Sequence, residues 1–405
     1  MTTPDRRLDR RAYLGAVAAG ATAVAGCTGG SDDDTRAGDG DAGSDDGDNG
    51  ETGDEERPTT GDVPSELSPI DDAMLDVLKA DEIPTATLAV ARDGEPLLER
   101  GYGWADRDRT EPVEPDAQFR LASVTKPLTV AAVHELVESG ALAYDDPFYE
   151  LTDVEPAGEL GDDRIEEVTI RHLLDHVGGW HRPPAEDPMF DAFTVADALD
   201  LEEPPTARDF ARHLLTEPLD EEPGTDPTGP GERSYSNFGY VLLGLVIEDV
   251  SGQPFDEYVT EEILEPIDAG AVELGRTLPE DRPAEEVWYE SEEECPNAAA
   301  LDPDETVRCA DGWLPVEALH AAGGLVGSAP TLRRFLDGYW LGTGEPRDET
   351  EQEWLFFGEF VGTFAYVHQR PDGVDLVVLC NRRVGEPMAI AGALGEAVDA
   401  VDDWP

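Results

Sequence analysis

Two pairs of short β-type runs stand near the ends of the chain. Residues 85–90 and 96–104 flank Asp93-Gly94, and residues 361–368 and 374–380 flank Pro371-Asp372-Gly373. Apolar and β-branched runs around an Asp-Gly turn predict hairpins. Between them the apolar period is helical, over 123–139, 169–176, 207–216, 236–251, 255–264 and 328–340, with loops rich in proline and acid. A last helix is expected over 388–401. Strand pairs at both ends of a helical middle predict an α/β (α+β) fold. One antiparallel sheet would be built from the two chain ends, with helices packed on it and an inserted α lobe. A site is expected where sheet and lobe meet.

The N-terminus is patterned differently. Arg10-Arg11-Ala12-Tyr13-Leu14 is a twin-arginine pattern, and residues 15–26 form an apolar, small-residue run too short to span a bilayer. Val24-Ala25-Gly26-Cys27 resembles a lipobox, in which the cysteine becomes the lipidated first residue. The expectation is a signal peptide over 1–27, export by a twin-arginine route and a lipid anchor at Cys27 on the extracellular face of the membrane. Residues 28–66 hold almost no large apolar side chain and fourteen acids against Arg36 and Arg57. They are expected to be a disordered tether, because they bury too little surface to offset ordering entropy. The folded domain is then 67–405.

Charge narrows the function classes. The chain has 92 acidic and 28 basic residues, a net charge of −64, so a basic surface for phosphate backbones or anionic lipid is excluded and no nucleic-acid partner is expected. The leader carries +2 and the tether −12, leaving −54 on residues 67–405. Lys79 and Lys126 are the only lysines among the basic residues. A dense acidic, lysine-poor surface fits a protein working in molar salt, where like charges are screened within about 3 Å.

One of those lysines lies in Ser123-Val124-Thr125-Lys126, at the entry to the first long helix. Ser-x-x-Lys on a helix puts hydroxyl and amine on one face, one turn apart. An amine of lowered pKa can then take the hydroxyl proton, a role that arginine cannot fill. Eleven serines and two lysines give about 0.05 chance pairs in this length, so the match is suggestive. Tyr235-Ser236-Asn237, before the apolar helix from residue 238, adds a phenolic acid/base and an amide. Ten tyrosines and four asparagines make that pair weak alone, at about 0.1 chance matches, but it gains weight by following the first.

With these motifs in place, the chain resembles the serine β-lactamase and penicillin-binding-protein-like hydrolases: class C β-lactamases, D-alanyl-D-alanine carboxypeptidases and their esterase relatives. The stretches 169–180 (TIRHLLDHVGGW), 230–252 and 322–329 (AGGLVGSA) carry the likeness further. The resemblance implies a three-layer sandwich with an α lobe and an acyl-enzyme on Ser123, with Lys126 and Tyr235 sharing proton transfer and Asn237 in support. It also implies an oxyanion hole from the Ser123 N–H and an N–H of a late strand. No metal or organic cofactor is implied.

In that strand the family carries Lys-Thr-Gly or His-x-Gly. Here the local match is Phe356-Phe357-Gly358-Glu359, with Phe356 at the position of the cation and Phe357 at that of the hydroxyl. Gly358 keeps close approach possible, and Glu359 would supply the oxyanion N–H. Loss of the groups that grip a substrate carboxylate points to small esters or amides with neutral acyl groups. Two alternatives stand beside this: a non-catalytic ligand-binding descendant, and a D-amino-acid peptidase or β-lactamase whose cation is His320 or Arg120. His172 and His176 are i, i+4 but lack the glutamate of a His-Glu-x-x-His site, so they are expected to be structural. Cys295 and Cys309 bracket a loop in an exported chain and are disulfide candidates, and Cys380 is expected in the core.

With −54 on the domain, self-repulsion at low ionic strength should exceed the margin of folding stability. Circular dichroism between about 0.1 and 3 M KCl should show the fold gained with salt. A domain equally stable at both ends would contradict the reading of its charge.

Overall fold

A computed structural model of the chain describes residues 57–181, 187–229, 234–348, 350 and 352–405. Its first half contains β1 (Thr59–Thr60), α1 (Ser68–Ala80), β2 (Ala86–Arg92), β3 (Glu95–Tyr102), β4 (Gln118–Arg120), α2 (Thr125–Glu138), α3 (Ile170–Leu174), α4 (Ala192–Leu199) and α5 (Ala207–Leu214). The second half contains α6 (Asn237–Ser251), α7 (Phe255–Tyr258), β5 (Glu273–Leu274), β6 (Glu294–Asn297), β7 (Asp302–Arg308), α8 (Val316–Gly323) and β8 (Leu325–Ser328). It ends with α9 (Ala329–Gly338), β9 (Trp354–Phe360), β10 (Thr363–Gln369), β11 (Val374–Cys380) and α10 (Pro387–Asp399).

Six strands form one antiparallel sheet in the order β1-β3-β2-β11-β10-β9. The two chain ends meet at its middle, where β2 pairs with β11 and Ala89 lies opposite Val377. Asp93 and Gly94 turn β2 into β3 with φ of 50° and 82°, the positive values that an Asp-Gly turn accepts. Side-chain alternation divides the core. Leu88, Val90, Phe364, Tyr366, Leu376 and Val378 face α1 and α10, while Ala89, Ala365, Val367, Val377 and Leu379 face α2 and the helical lobe. The result is the expected three-layer arrangement. In the lobe, α6 is buried over Phe238–Ile247 and packs on α2, α3, α5 and α8, as a helix apolar all round must. Among the described residues, no helix is long and apolar enough to cross a membrane.

Several boundaries differ from the sequence reading. The chain enters the sheet before residue 67: Thr59 and Thr60 pair with Tyr102 and Gly101 of β3. Backbone pairing, not apolar burial, holds that short edge strand, so composition does not reveal it. An unanticipated helix, α1, follows, with Ile70, Met74, Val77 and Leu78 as its buried stripe. The expected 255–264 helix passes into a π-helical turn at Val259–Leu264. Cys295 and Cys309 are joined by a disulfide across the β6–β7 hairpin, and Cys380 is buried. The twin-arginine segment, Cys27, most of the tether and the Pro230-Gly231-Glu232 turn lie outside the described residues.

Candidate active site

The site is built where β4 runs into α2. Leu121 donates its N–H to Leu325 O of β8 and Val124 donates to Leu121 O, closing a 3-10 turn over Ala122–Val124 before α2 begins. Ser123 therefore sits on this tight turn and not in the long helix that the spacing predicts. Ala122 holds φ at 47°, a costly value for a residue with a Cβ, and is wholly buried. The turn thus leaves Ser123 and Lys126 on one side of the helix entry.

Lys126 is fully buried, and three oxygens surround its amine. Nζ lies 2.6 Å from Ala322 O, 2.8 Å from Asn237 Oδ1 and 3.3 Å from Ser123 Oγ. Ala322 is brought there by a break inside α8, where His320 adopts φ 44° and ψ −125°. That break turns two successive carbonyls onto α2, since Thr129 Oγ1 donates to Ala321 O at 2.8 Å. Burial drives the Lys126 amine down from 10.5 to about 7, with the Asp187 carboxylate opposing the shift.

From the lobe, Tyr235 Oη lies 2.6 Å from Ser123 Oγ. Burial pushes its phenol well above the usual range, so it stays protonated at neutral pH; the Ser123 contact opposes the shift more weakly. Its ring stacks on His176 at 4.6 Å, and Lys126 Nζ stands 4.7 Å from the ring centroid. Asn237 is the first residue of α6, placed by the Ser236 cap that accepts from the Gly239 N–H. Its amide Nδ2 donates to Asp187 Oδ2 at 2.7 Å. Asp187 Oδ1 accepts from the Met189 N–H, and burial raises its carboxyl. The structure thus gathers Ser123, Lys126, Tyr235 and Asn237, which sequence reasoning named, and adds Asp187, which it missed. One carboxylate in an acid-rich loop carries no spacing signal.

The late strand approaches as closely as its glycine suggests. A Cβ on Gly358 would lie 2.3 Å from Leu121 O and 2.9 Å from the Ser123 nitrogen, so any larger residue would push β9 off the turn. Phe356 shares that face of β9, two positions away. Phe357 does not: strand alternation turns it into the α1/α10 layer, where its ring meets Phe364 and Tyr366 at 5.8 and 5.5 Å. The Glu359 side chain is ion-paired with Arg383. Neither alternative cation stands at the Phe356 position. Arg120 is buried and donates to Ala310 O and Arg276 O, each at 2.9 Å, and His320 Nε2 meets Glu248 Oε1 at 3.1 Å. The histidines of 169–176 serve the backbone: His172 Nδ1 accepts from the Thr169 N–H and His176 Nδ1 from the Ser236 N–H. Among the described residues, no cluster of three or more His, Cys, Asp or Glu could hold a metal ion.

Known proteins resemble this chain in part. A family model described as Beta-lactamase matches residues 70–372. Esterase EstB of Burkholderia gladioli is 35% identical over 206 residues, 48% of this chain and 48% of its own. Protein flp of Staphylococcus aureus (strain MW2) is 28% identical over 190 residues, 47% of this chain and 34% of its own. The chain thus matches about half the length or less of these curated relatives. The D-amino acid amidase of Ochrobactrum anthropi SV3 superposes with a TM-score of 0.59 at 20% identity, covering 84% of this chain and 100% of the amidase, which is a likeness of fold. The match over residues 70–372, most of the folded part, makes this chain a member of the Beta-lactamase family.

Proposed function

We propose that the chain hydrolyses esters or small amides of neutral acyl groups through an acyl-enzyme on Ser123. The observation that carries this is the surroundings of the Lys126 amine. Asn237 Oδ1 and Ala322 O take two N–H bonds, so a neutral amine has its lone pair left for Ser123 Oγ. Lys126 then takes the hydroxyl proton as Oγ bonds to the acyl carbon. The N–H groups of Ser123 and Glu359 are the proposed donors to the resulting oxyanion. Tyr235, within 2.6 Å of Oγ, gives its proton to the departing oxygen or nitrogen and regains one from Lys126. Water reverses these steps and releases the acid.

Substrate preference follows from Phe356. A carboxylate brought against this face of β9 meets an aromatic ring, and burying a charge without a partner costs several kcal/mol. The similarity to an esterase over 48% of the chain supports an ester substrate. Wild type should hydrolyse short-chain p-nitrophenyl esters with a higher kcat/KM than nitrocefin, which carries a carboxylate. Ser123→Ala should lose about 10³-fold or more. Phe356→Lys should move the ratio toward nitrocefin by about tenfold per 1.4 kcal/mol regained. A wild type that already prefers nitrocefin contradicts the preference. One that turns over neither substrate and leaves Ser123 unmodified is the ligand-binding descendant instead.

We also propose, from the sequence, that this chemistry takes place outside the cell, with the chain held to the membrane by a lipid on Cys27. Cys27→Ser should release the mature protein to the medium. Membrane association unchanged in that variant would place the anchor elsewhere.

A further inference from the structure

Asn237 can serve Lys126 only if its amide faces the right way round. Oxygen toward the amine accepts a hydrogen bond, whereas nitrogen there would set donor against donor. Nothing within Asn237 chooses between the two orientations. The choice lies on its other side, where Asp187 Oδ2 accepts from Nδ2 at 2.7 Å. The second Asp187 oxygen accepts from the Met189 N–H at 3.0 Å, so both oxygens act as acceptors, and these bonds favour the ionised carboxylate against the burial that raises it.

We propose that Asp187 is the positioning residue of the catalytic base: it locks the Asn237 amide with its oxygen on Lys126 and so stands as a carboxylate one amide away from that amine. This rests on the acyl-enzyme reading for its purpose but not for its test. Asp187 touches neither Ser123 Oγ nor the space beside it in the contacts above; it acts through Asn237.

Among the described residues, the other groups around the amine leave this role to Asp187. Tyr235 and Tyr240 present ring faces 4.7 and 5.4 Å from Nζ, and Tyr235 stays protonated. His176 stacks on both rings and spends Nδ1 on the Ser236 N–H. On the α8 side, His320 turns to Glu248, and its backbone delivers a neutral carbonyl at Ala322. His181 Nδ1 meets Ser234 Oγ. Among the described residues, Asp187 is the carboxylate whose charge acts on the amine, and it favours the ammonium. Removing that charge should therefore lower the pKa of Lys126, and bringing the charge nearer should raise it.

The composition makes this measurable, since the chain has only two lysines and Lys79 is exposed. With ε-¹³C-lysine, each titration is read directly by NMR, and Lys79 serves as the reference. In Asp187→Asn the Lys126 midpoint should fall by about half a pH unit or more while Lys79 stays fixed. The kcat for a p-nitrophenyl ester should drop about tenfold with KM little changed, because the amide is free to flip. The double exchange Asp187→Asn with Asn237→Asp restores a donor facing an acceptor but puts the charge on the amine, so its midpoint should rise above wild type. A merely structural carboxylate would not produce opposite shifts.

An unmoved midpoint in folded Asp187→Asn, or two shifts of the same sign, overturns the proposal. So does failure of both variants to fold, which would assign the carboxylate to stability alone. Failure of the catalytic reading shows separately, as wild-type turnover that does not depend on Ser123 while the NMR shifts persist.

Discussion

Lys126 has its amine wholly out of water, and such a group is tolerated only where acceptors replace the water it has lost. The site reads as the answer to that constraint. Two acceptors come from elements far apart in sequence, Ala322 at the end of α8 and Asn237 at the start of α6, and the third contact is the hydroxyl of Ser123. Arginine fills nearly every other basic position in this chain. A guanidinium could bind the same oxygens, but it stays protonated and could not accept the serine proton.

Holding those acceptors in place requires backbone that its residues would not choose. Ala122 adopts positive φ to set Ser123 on a tight turn, and His320 adopts a conformation outside the helix to aim the 321 and 322 carbonyls at α2. Gly244 makes room for the second distortion, because a Cβ there would lie 2.4 Å from His320 Nδ1. Gly358 makes room on the other side, where β9 closes against the turn. Each distortion costs of the order of 1–3 kcal/mol and is sustained by the packed sheet and α6 around it.

What the sequence revealed and what it withheld follow from range. The hairpins were legible because an Asp-Gly turn and its flanking runs are local. Ser123 with Lys126 was legible because one helical turn separates them. Tyr235 with Asn237 gained meaning only from the company of that pair, and their contacts across 112 residues to Ser123 and 111 to Lys126 belong to the fold. Asp187 was hidden among 92 acids, with no fixed spacing to its partners. The Ala322 carbonyl was hidden more deeply, since every residue has one and only the backbone angles of His320 aim it. At the late strand the residues were read, but not their faces: alternation sends Phe356 toward the site and Phe357 away from it. A second sheet, of three strands in the order β4-β8-β5, is built from strands two to four residues long, which carry no usable period.

The central claim is that a buried, neutral Lys126 activates Ser123, and the pH dependence of serine modification tests it most directly. The rate of labelling by a fluorophosphonate should rise with pH through a midpoint near 7, where burial places the amine. Labelling should be absent in Ser123→Ala and should lose that midpoint in Lys126→Arg, whose side chain cannot shed its proton. Labelling that rises only near the ordinary lysine range, about pH 10, or that keeps its profile in Lys126→Arg, would contradict the account.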